Sequence, residues 1–396
     1  MDFPKSLSIE ACEKFLADLE AAKSDVSLQF PVGTKGYAFG GLASAIQAVN
    51  TWVRSSETRR IELRSSDASN VVNDVIARPH KFVAAMSARS IITNDSQDSD
   101  LRPQVNIKAK HAIDAQSLHQ YGQQRGGLCW FGFVDHSSKG FDQNFYIKKT
   151  DRSPEPRQPE QFKTIIKSMT EKAISVPGGS KAPEHEALDH LGRIFYELFL
   201  NTHEHGTRGK SRHEWLKPGV RIIYAQGINL SEAGVKGIIN QQPILSEYVQ
   251  SVEENLKFQG NRRFLELGII DSGLGYCGRW QADHSLDKFS DSPSLDTEYE
   301  TFKKCFKFRQ TSTSKDNKGN GLPVVMDRLT RLNGLMRVRS GRLSVYRDFI
   351  TSPYTDQDPC VFFDWLNRTS AEQGLSRMAH VAGVAISLLI PLEAKS

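Results

Sequence analysis

Glu197 and Asn201 place a carboxylate and an amide four positions apart in a segment of apolar periodicity. On a helix, residues with this spacing lie on the same face and can reach the same ligand. A carboxylate and an amide in this arrangement can be presented to a metal-bound phosphate. Polar pairs of this kind are also common on solvated helix faces, so the pair predicts phosphate chemistry only together with other motifs.

Two glycine-rich runs follow this pair in the sequence. Asp271 ends the apolar run FLELGII, and Gly273 and Gly275 remove the Cβ atoms that would keep a flat base away from the backbone. Gly319 and Gly321 come just before a predicted helix, where free backbone N–H groups favour phosphate. In this order the three segments outline a nucleotide pocket, although Asp and Gly are also the usual residues of turns.

A helix, several strands and a second helix are predicted to position these residues. Apolar residues recur at helical spacing around Glu197, so its helix has one side to bury, and the polar pair leaves from a different face. Apolar runs predict strands at residues 220–225, 264–270, 335–338 and 384–390, and the spacing after Gly321 predicts a helix at 322–332.

Three segments are predicted along the chain, and the predicted fold class is α/β. Residues 1–105 read as a small α/β domain with short strands, helices and a glycine-rich turn. Residues 106–180 form a connecting region with a strand at 127–134 and a helix at 161–173. Residues 181–396 carry the motifs, and a length of 396 residues exceeds the size at which one core is usual.

The bulk composition excludes several classes of protein. The 51 basic and 46 acidic residues nearly balance, so nucleic acid is not indicated as the main ligand. Five scattered cysteines without a C-x-x-C pair indicate neither a disulfide framework nor a zinc site. The start lacks a charged leader with an apolar core, and no apolar run is long enough to cross a bilayer. We therefore expect a soluble, cytoplasmic protein without a membrane partner.

The motifs and their order resemble the GHKL superfamily, which includes gyrase, the large heat-shock chaperone, histidine kinases and MutL-type proteins. The resemblance covers about residues 183–396 and rests on Glu197-x-x-x-Asn201, DSGLG, KGNGLPVVMDRL, NGLMRVRSG and GVAISLLIPL. It implies an α/β sandwich, with a mixed sheet that has helices on one face. It also implies that ATP lies between the helices and an ordering lid.

Individual roles follow from the same resemblance. It implies that Asn201 is the Mg²⁺ ligand and that Glu197 is the base that orients the attacking water or hydroxyl. Asp271 would accept a hydrogen bond from the adenine amino group. Residues 308–321 resemble the lid, from which Lys315 would reach the terminal phosphate. The residues implied to bind ATP are Asn201, His205, Asp271, Gly273, Gly275, Lys315, Gly319, Gly321 and Leu322.

Departures from the family pattern narrow the implied function. Glu204 stands three residues after Asn201, where histidine kinases usually have Lys, and this favours hydrolysis. Val384 follows Gly383 where the family usually has Thr, which puts one hydrogen bond on the adenine side in question. The resemblance implies an ATPase whose turnover drives a conformational or partner-binding switch, in a homodimer or with a protein partner, as in bacterial regulation or phage defence.

Two alternative functions stay open at this point. The chain also resembles protein serine/threonine kinases of the anti-sigma type, in which the same glutamate would deprotonate a hydroxyl. A non-catalytic scaffold that senses nucleotide is the other alternative. The amino-terminal pattern, with strands at 26–30 and 60–63 around a helix at 42–53, resembles a STAS-like domain. Such a domain would serve for docking, because the stretch before its helix carries no serine or threonine.

Overall fold

Helices and strands are distributed over the whole length of the chain in a computed structural model. The structure describes residues 1–22, 25–37, 39–64, 68–93, 100–120, 127–148, 154–174, 183–211, 213–230, 242–256, 262–284, 290, 292–307, 321–357 and 360–392. The helices are α1 (Ile9–Ala21), α2 (Gly41–Ser55), α3 (Ala68–Ala77), α4 (Pro79–Ser87), α5 (Arg102–Ser117), α6 (Pro159–Ile174), α7 (His185–His205), α8 (Pro243–Leu256), α9 (Gly275–His284), α10 (Leu295–Phe306) and α11 (Gly321–Arg331).

The first five strands have two to four residues each, and the longest strands lie in the second half of the chain. The strands are β1 (Ser6–Leu7), β2 (Leu28–Phe30), β3 (Lys35–Tyr37), β4 (Arg60–Leu63), β5 (Ser90–Thr93), β6 (Leu128–Val134), β7 (Tyr146–Ile147), β8 (Glu155–Pro156), β9 (Val220–Leu230), β10 (Arg262–Ile270), β11 (Leu335–Gly341), β12 (Leu343–Asp348), β13 (Phe363–Asp364) and β14 (Val381–Pro391). Helices occur with both parallel and antiparallel strand pairs, which confirms the α/β class.

A large sheet of seven strands has the order β13-β12-β11-β14-β10-β9-β6. Its strand pairs are all antiparallel, so the mixed sheet that we expected for this region is wrong. The one-residue connection between β11 and β12 explains part of this pattern, because a tight turn can join only antiparallel neighbours.

Helices cover both faces of the large sheet, which also corrects the expectation of helices on one face. Ile269 of β10 packs with α6, α7 and α11, whereas the next residue, Ile270, packs with α2 and α4. The strands β10 and β14 are nearly continuous apolar runs rather than alternating ones, so both of their faces need cover.

The amino-terminal elements form a parallel sheet in the order β2-β4-β5, with α2 between the first two strands in the chain. The predicted strand at 60–63 is confirmed by β4. Helix α2 lies against β14 and β10 of the large sheet and against α1 and α4, and twelve of its residues are buried. It therefore joins the two sheets into a common core.

Contacts cross the segment boundaries that we predicted at 105 and 180, and those boundaries stay a prediction. Strand β6, in the predicted connecting region, is the edge strand of the large sheet and pairs with β9. Helix α6, in the same region, packs along α7. Within the described residues, no helix has both the length and the apolar character needed to cross a lipid bilayer.

A carboxylate of α1 is held between two arginines of the large sheet. Glu13 accepts hydrogen bonds from Arg337 Nη2 at 3.2 Å and from Arg339 Nε at 2.9 Å. Burial would raise the pKa of Glu13, but the two guanidinium groups hold it below its ordinary value. This buried ion pair fixes α1 to β11.

Candidate functional site

Helix α7 carries three of the predicted site residues on one face. Glu197, Asn201 and His205 follow each other at intervals of four residues, and the 21-residue helix contains all of them. The apolar side of α7 packs into the core under the large sheet, through Leu188, Leu191, Ile194, Phe195, Leu198 and Phe199. This packing fixes the orientation of the polar face.

The Glu197 carboxylate lies at the first residue of α11, although 124 positions separate them in the chain. A Cβ atom built on Gly321 would lie 2.8 Å from Glu197 Oε2, so a side chain here would displace the carboxylate. The amino-terminal end of a helix carries partial positive charge and favours a negative group. The structure thus brings Glu197 and Gly321 together.

Opposing charges set the protonation of Glu197. Arg193 Nη2 lies 2.5 Å from Glu197 Oε1, and only 11% of the Glu197 side chain is exposed. Burial raises the pKa of Glu197 above its ordinary value, the Arg193 guanidinium opposes that shift, and the Glu204 carboxylate adds to it. Glu197 is therefore a stronger base, when ionised, than a solvated glutamate.

Asn201 presents an amide group whose Nδ2 atom is buried and has no hydrogen-bond partner among the residues that the structure describes. Buried amide groups are normally satisfied, so this donor suits an oxygen-rich ligand such as a phosphate. The described part of the chain holds no cluster of three His, Cys, Asp or Glu side chains able to bind a metal. A magnesium ion here would depend on phosphate oxygens together with the amide oxygen of Asn201.

Asp271 directly follows β10, and its side chain lies next to the end of α7. Its Oδ1 atom accepts hydrogen bonds from the backbone N–H of Gly273 at 2.9 Å and of Val384 at 3.2 Å. Burial raises the pKa of Asp271 to about 7, although both N–H donors oppose the shift. The main chain of Val384 thus supports the carboxylate, while its side chain offers no hydroxyl.

The end of α7 lies directly against the first glycine run. A Cβ atom on Gly206 would lie 2.8 Å from Asp271 Cβ, and one on Gly273 would lie 2.7 Å from the Gly206 carbonyl oxygen. Neither position has room for a side chain. His205 precedes Gly206, and its carbonyl oxygen would lie 2.9 Å from a Cβ on Gly273. The structure therefore brings His205, Asp271 and Gly273 together.

The remaining predicted site residues lie in different surroundings. Gly275 begins α9 with a φ of +70°, and the Tyr276 N–H beside it donates to Ser340 Oγ at 3.1 Å. Leu322 is buried in the core beneath the large sheet. Lys315 and Gly319, with the rest of the predicted lid up to residue 320, lie outside the described residues.

Two polar residues of α2 contact the same glycine run from the opposite face of the sheet. Asn50 Nδ2 donates to the carbonyl oxygen of Asp271 at 3.2 Å, and Arg54 Nη2 donates to that of Ser272 at 2.8 Å. The sequence contains no local signal for these contacts, because 218 or more positions separate the partners.

Comparisons with known proteins give no match for this chain, whether with family models, with curated proteins or with solved structures. The functional assignment therefore depends on the motifs and on their geometry.

Proposed function

We propose that this protein binds ATP with magnesium in the GHKL manner and hydrolyses it. One observation carries the proposal: the polar face and the end of α7 lie against both glycine segments. Glu197 lies at Gly321 of the second segment, and Gly206 lies at Asp271 of the first. Sequence spacing alone does not produce this convergence, because the two segments are far from α7 in the chain.

The residues present fit a magnesium nucleotide. Asn201 offers a buried amide to the phosphates, and Asp271 offers a carboxylate to the amino group of a purine. Glu197, held by Arg193, would orient a water molecule and accept its proton. Magnesium would neutralise charge on the phosphate oxygens. We further propose a cytoplasmic protein in which turnover changes a protein contact, since α2 links Asp271 to the amino-terminal elements.

Replacing Asn201 with Ala is expected to weaken magnesium-dependent nucleotide binding about tenfold or more, because one ligand to the metal is lost. Calorimetry with a non-hydrolysable ATP analogue, with and without Mg²⁺, measures this effect. Asn255→Ala is the matched control, since Asn255 is exposed on α8. The proposal fails if the unaltered protein gives no binding heat with ATP, or if the γ-phosphate label appears on protein instead of as free phosphate.

The rate of hydrolysis is expected to rise with pH as Glu197 loses its proton. Arg193→Gln removes the cation that lowers the pKa of Glu197, so the rise should move to higher pH. Glu204→Gln removes the anion that raises this pKa, so the rise should move to lower pH. Profiles of kcat against pH measure both shifts.

The control for these two variants is Arg331→Gln. Arg331 is exposed on α11, and in the described part of the chain its ion pair is with Asp327, which is also exposed. Its profile should coincide with that of the unaltered protein. Shifts of the same sign in Arg193→Gln and Glu204→Gln would contradict the role given to Glu197.

A further inference from the structure

A cavity of about 420 Å³ lies behind the first glycine run, between that run and the amino-terminal helices. Its walls come from α1, from the end of α2, from residues 273–281 and from the strand ends at 340–343 and 380–382. None of Glu197, Asn201 and Asp271 lines this cavity. It is therefore distinct from the proposed nucleotide site, although Gly273 borders both.

Most of the cavity wall is apolar. Leu16 and Leu19 of α1 line it together with Leu216, Leu274 and Val381, which come from separate parts of the chain. Cavities of this size with mostly apolar walls and a few polar groups are the usual form of a site for a small molecule. A mostly apolar wall favours a ligand with an apolar body.

Among the described residues, Arg54 is the one guanidinium group in the cavity wall. Its Nε and Nη2 atoms donate to a carbonyl oxygen, that of Ser272, and in the described part of the chain it has no ion pair with a carboxylate within 4 Å. Burial lowers the pKa of Arg54 to about 10, the nearby Arg59 charge acts in the same direction, and the Asp271 carboxylate opposes the shift without touching the guanidinium group. Charged groups out of water are normally paired by direct contact, and among the described residues Arg54 has no such contact with a counter-charge.

The acidic groups of the wall do not supply that counter-charge. Glu298 accepts hydrogen bonds from the backbone N–H and from Nε of Arg342, at 2.8 and 2.9 Å. Glu20 is exposed and accepts from the backbone N–H of His380 at 3.0 Å. Both carboxylates are engaged away from Arg54, which leaves this arginine as the group available to an anion.

We propose that the cavity binds a small amphipathic monoanion, with its apolar body against Leu16, Leu19 and Leu216 and its anionic group at Arg54. The charge of the ligand would then complete the pairing of the guanidinium group. This proposal does not depend on ATP hydrolysis. Because Arg54 also holds the Ser272 carbonyl beside Asp271, the ligand would contact the back of the nucleotide site.

The full-length protein should bind 8-anilinonaphthalene-1-sulfonate, an aromatic monoanion, with one saturable site followed by fluorescence. Decanoate should displace this probe, and decanol, which has the same chain length but no charge, should displace it about tenfold less well. Arg54→Gln should weaken probe binding about tenfold, because a charge-assisted hydrogen bond is lost. Leu216→Trp should prevent binding by filling the cavity.

Arg64→Gln is the matched control, since Arg64 is exposed on the surface of the amino-terminal region, and it should bind the probe like the unaltered protein. Circular dichroism checks that each variant is folded. Leu216→Trp fills the cavity without removing Arg54, so the proposal can still be tested if Arg54→Gln does not fold. The proposal is wrong if the folded protein binds no probe, if Leu216→Trp binds it normally, or if decanol competes as well as decanoate.

Discussion

Replacing Glu197 with Gln should lower the rate of ATP hydrolysis by about 10²–10⁴-fold, while ATP still binds. A correctly placed general base contributes this factor, and Gln keeps the shape of the side chain without its basicity. The Glu197 carboxylate has a buried position, a fixed ion pair with Arg193 and direct proximity to Gly321. Release of free phosphate measures the rate, and calorimetry with a non-hydrolysable analogue measures binding.

A glutamate on the same helix provides the control for this experiment. Glu186 lies in the first turn of α7, and 83% of its side chain is exposed. Glu186→Gln should hydrolyse ATP at the rate of the unaltered protein. Equal rates for Glu197→Gln and Glu186→Gln would remove Glu197 from the chemistry. Loss of binding together with loss of rate would show instead that Glu197 holds the nucleotide.

Local patterns in the sequence were sufficient to predict the elements that position the site. The apolar spacing around Glu197 predicted α7, and the run FLELGII predicted the part of β10 that leads to Asp271. The strand at 127–134 was likewise confirmed by β6. In each case the side chains that must be buried lie close together in the chain, so their periodicity is visible without knowledge of the partners.

Helix α10 was not predicted, because the sequence around it is mostly polar. Helix α10 has a high proportion of charged residues, yet Leu295, Tyr299, Phe302 and Phe306 recur along one side of it. That stripe was a usable signal, and Ser294 is a normal N-cap whose hydroxyl accepts from the Thr297 N–H. The many charged residues between these apolar positions made the helical periodicity easy to overlook.

The coupling between the amino-terminal elements and the site could not be predicted. Helix α2 is rich in small and apolar residues, which indicates burial but does not identify the partner. Its position between two sheets depends on contacts with strands more than 200 residues away, such as the Gly40 N–H that donates to Glu266. Spacing within one sequence carries no record of such pairs, and the mixed sheet was wrong for the same reason.

Replacing Asp135 with Asn is expected to reduce the free energy of unfolding by about 3–5 kcal/mol, because it leaves a buried charge without its partner. Arg221 Nε and Nη2 donate to the two carboxylate oxygens of Asp135 at 2.7 and 2.8 Å, and at most 2% of either side chain is exposed. Urea titration followed by circular dichroism measures the loss.

An exposed arginine–carboxylate pair serves as the comparison that separates the effect of burial from the effect of pairing alone. Arg368 and Glu247 lie 3.0 Å apart with about half of each side chain exposed, so Glu247→Gln should change stability by no more than about 0.5 kcal/mol. Combining Asp135→Asn with Arg221→Met should restore part of the loss, since the unpaired charge is then absent. Equal costs for Asp135→Asn and Glu247→Gln would contradict this explanation.

The consequence of the Asp135 variant should extend to the site, because Arg221 also donates to Thr202 Oγ1 at 3.4 Å. Thr202 belongs to the last turn of α7, and its carbonyl oxygen accepts the Gly206 N–H at 2.8 Å. Gly206 in turn lies against Asp271. The ion pair at the sheet edge therefore helps to hold the end of α7 against Asp271, as the proposed nucleotide site requires.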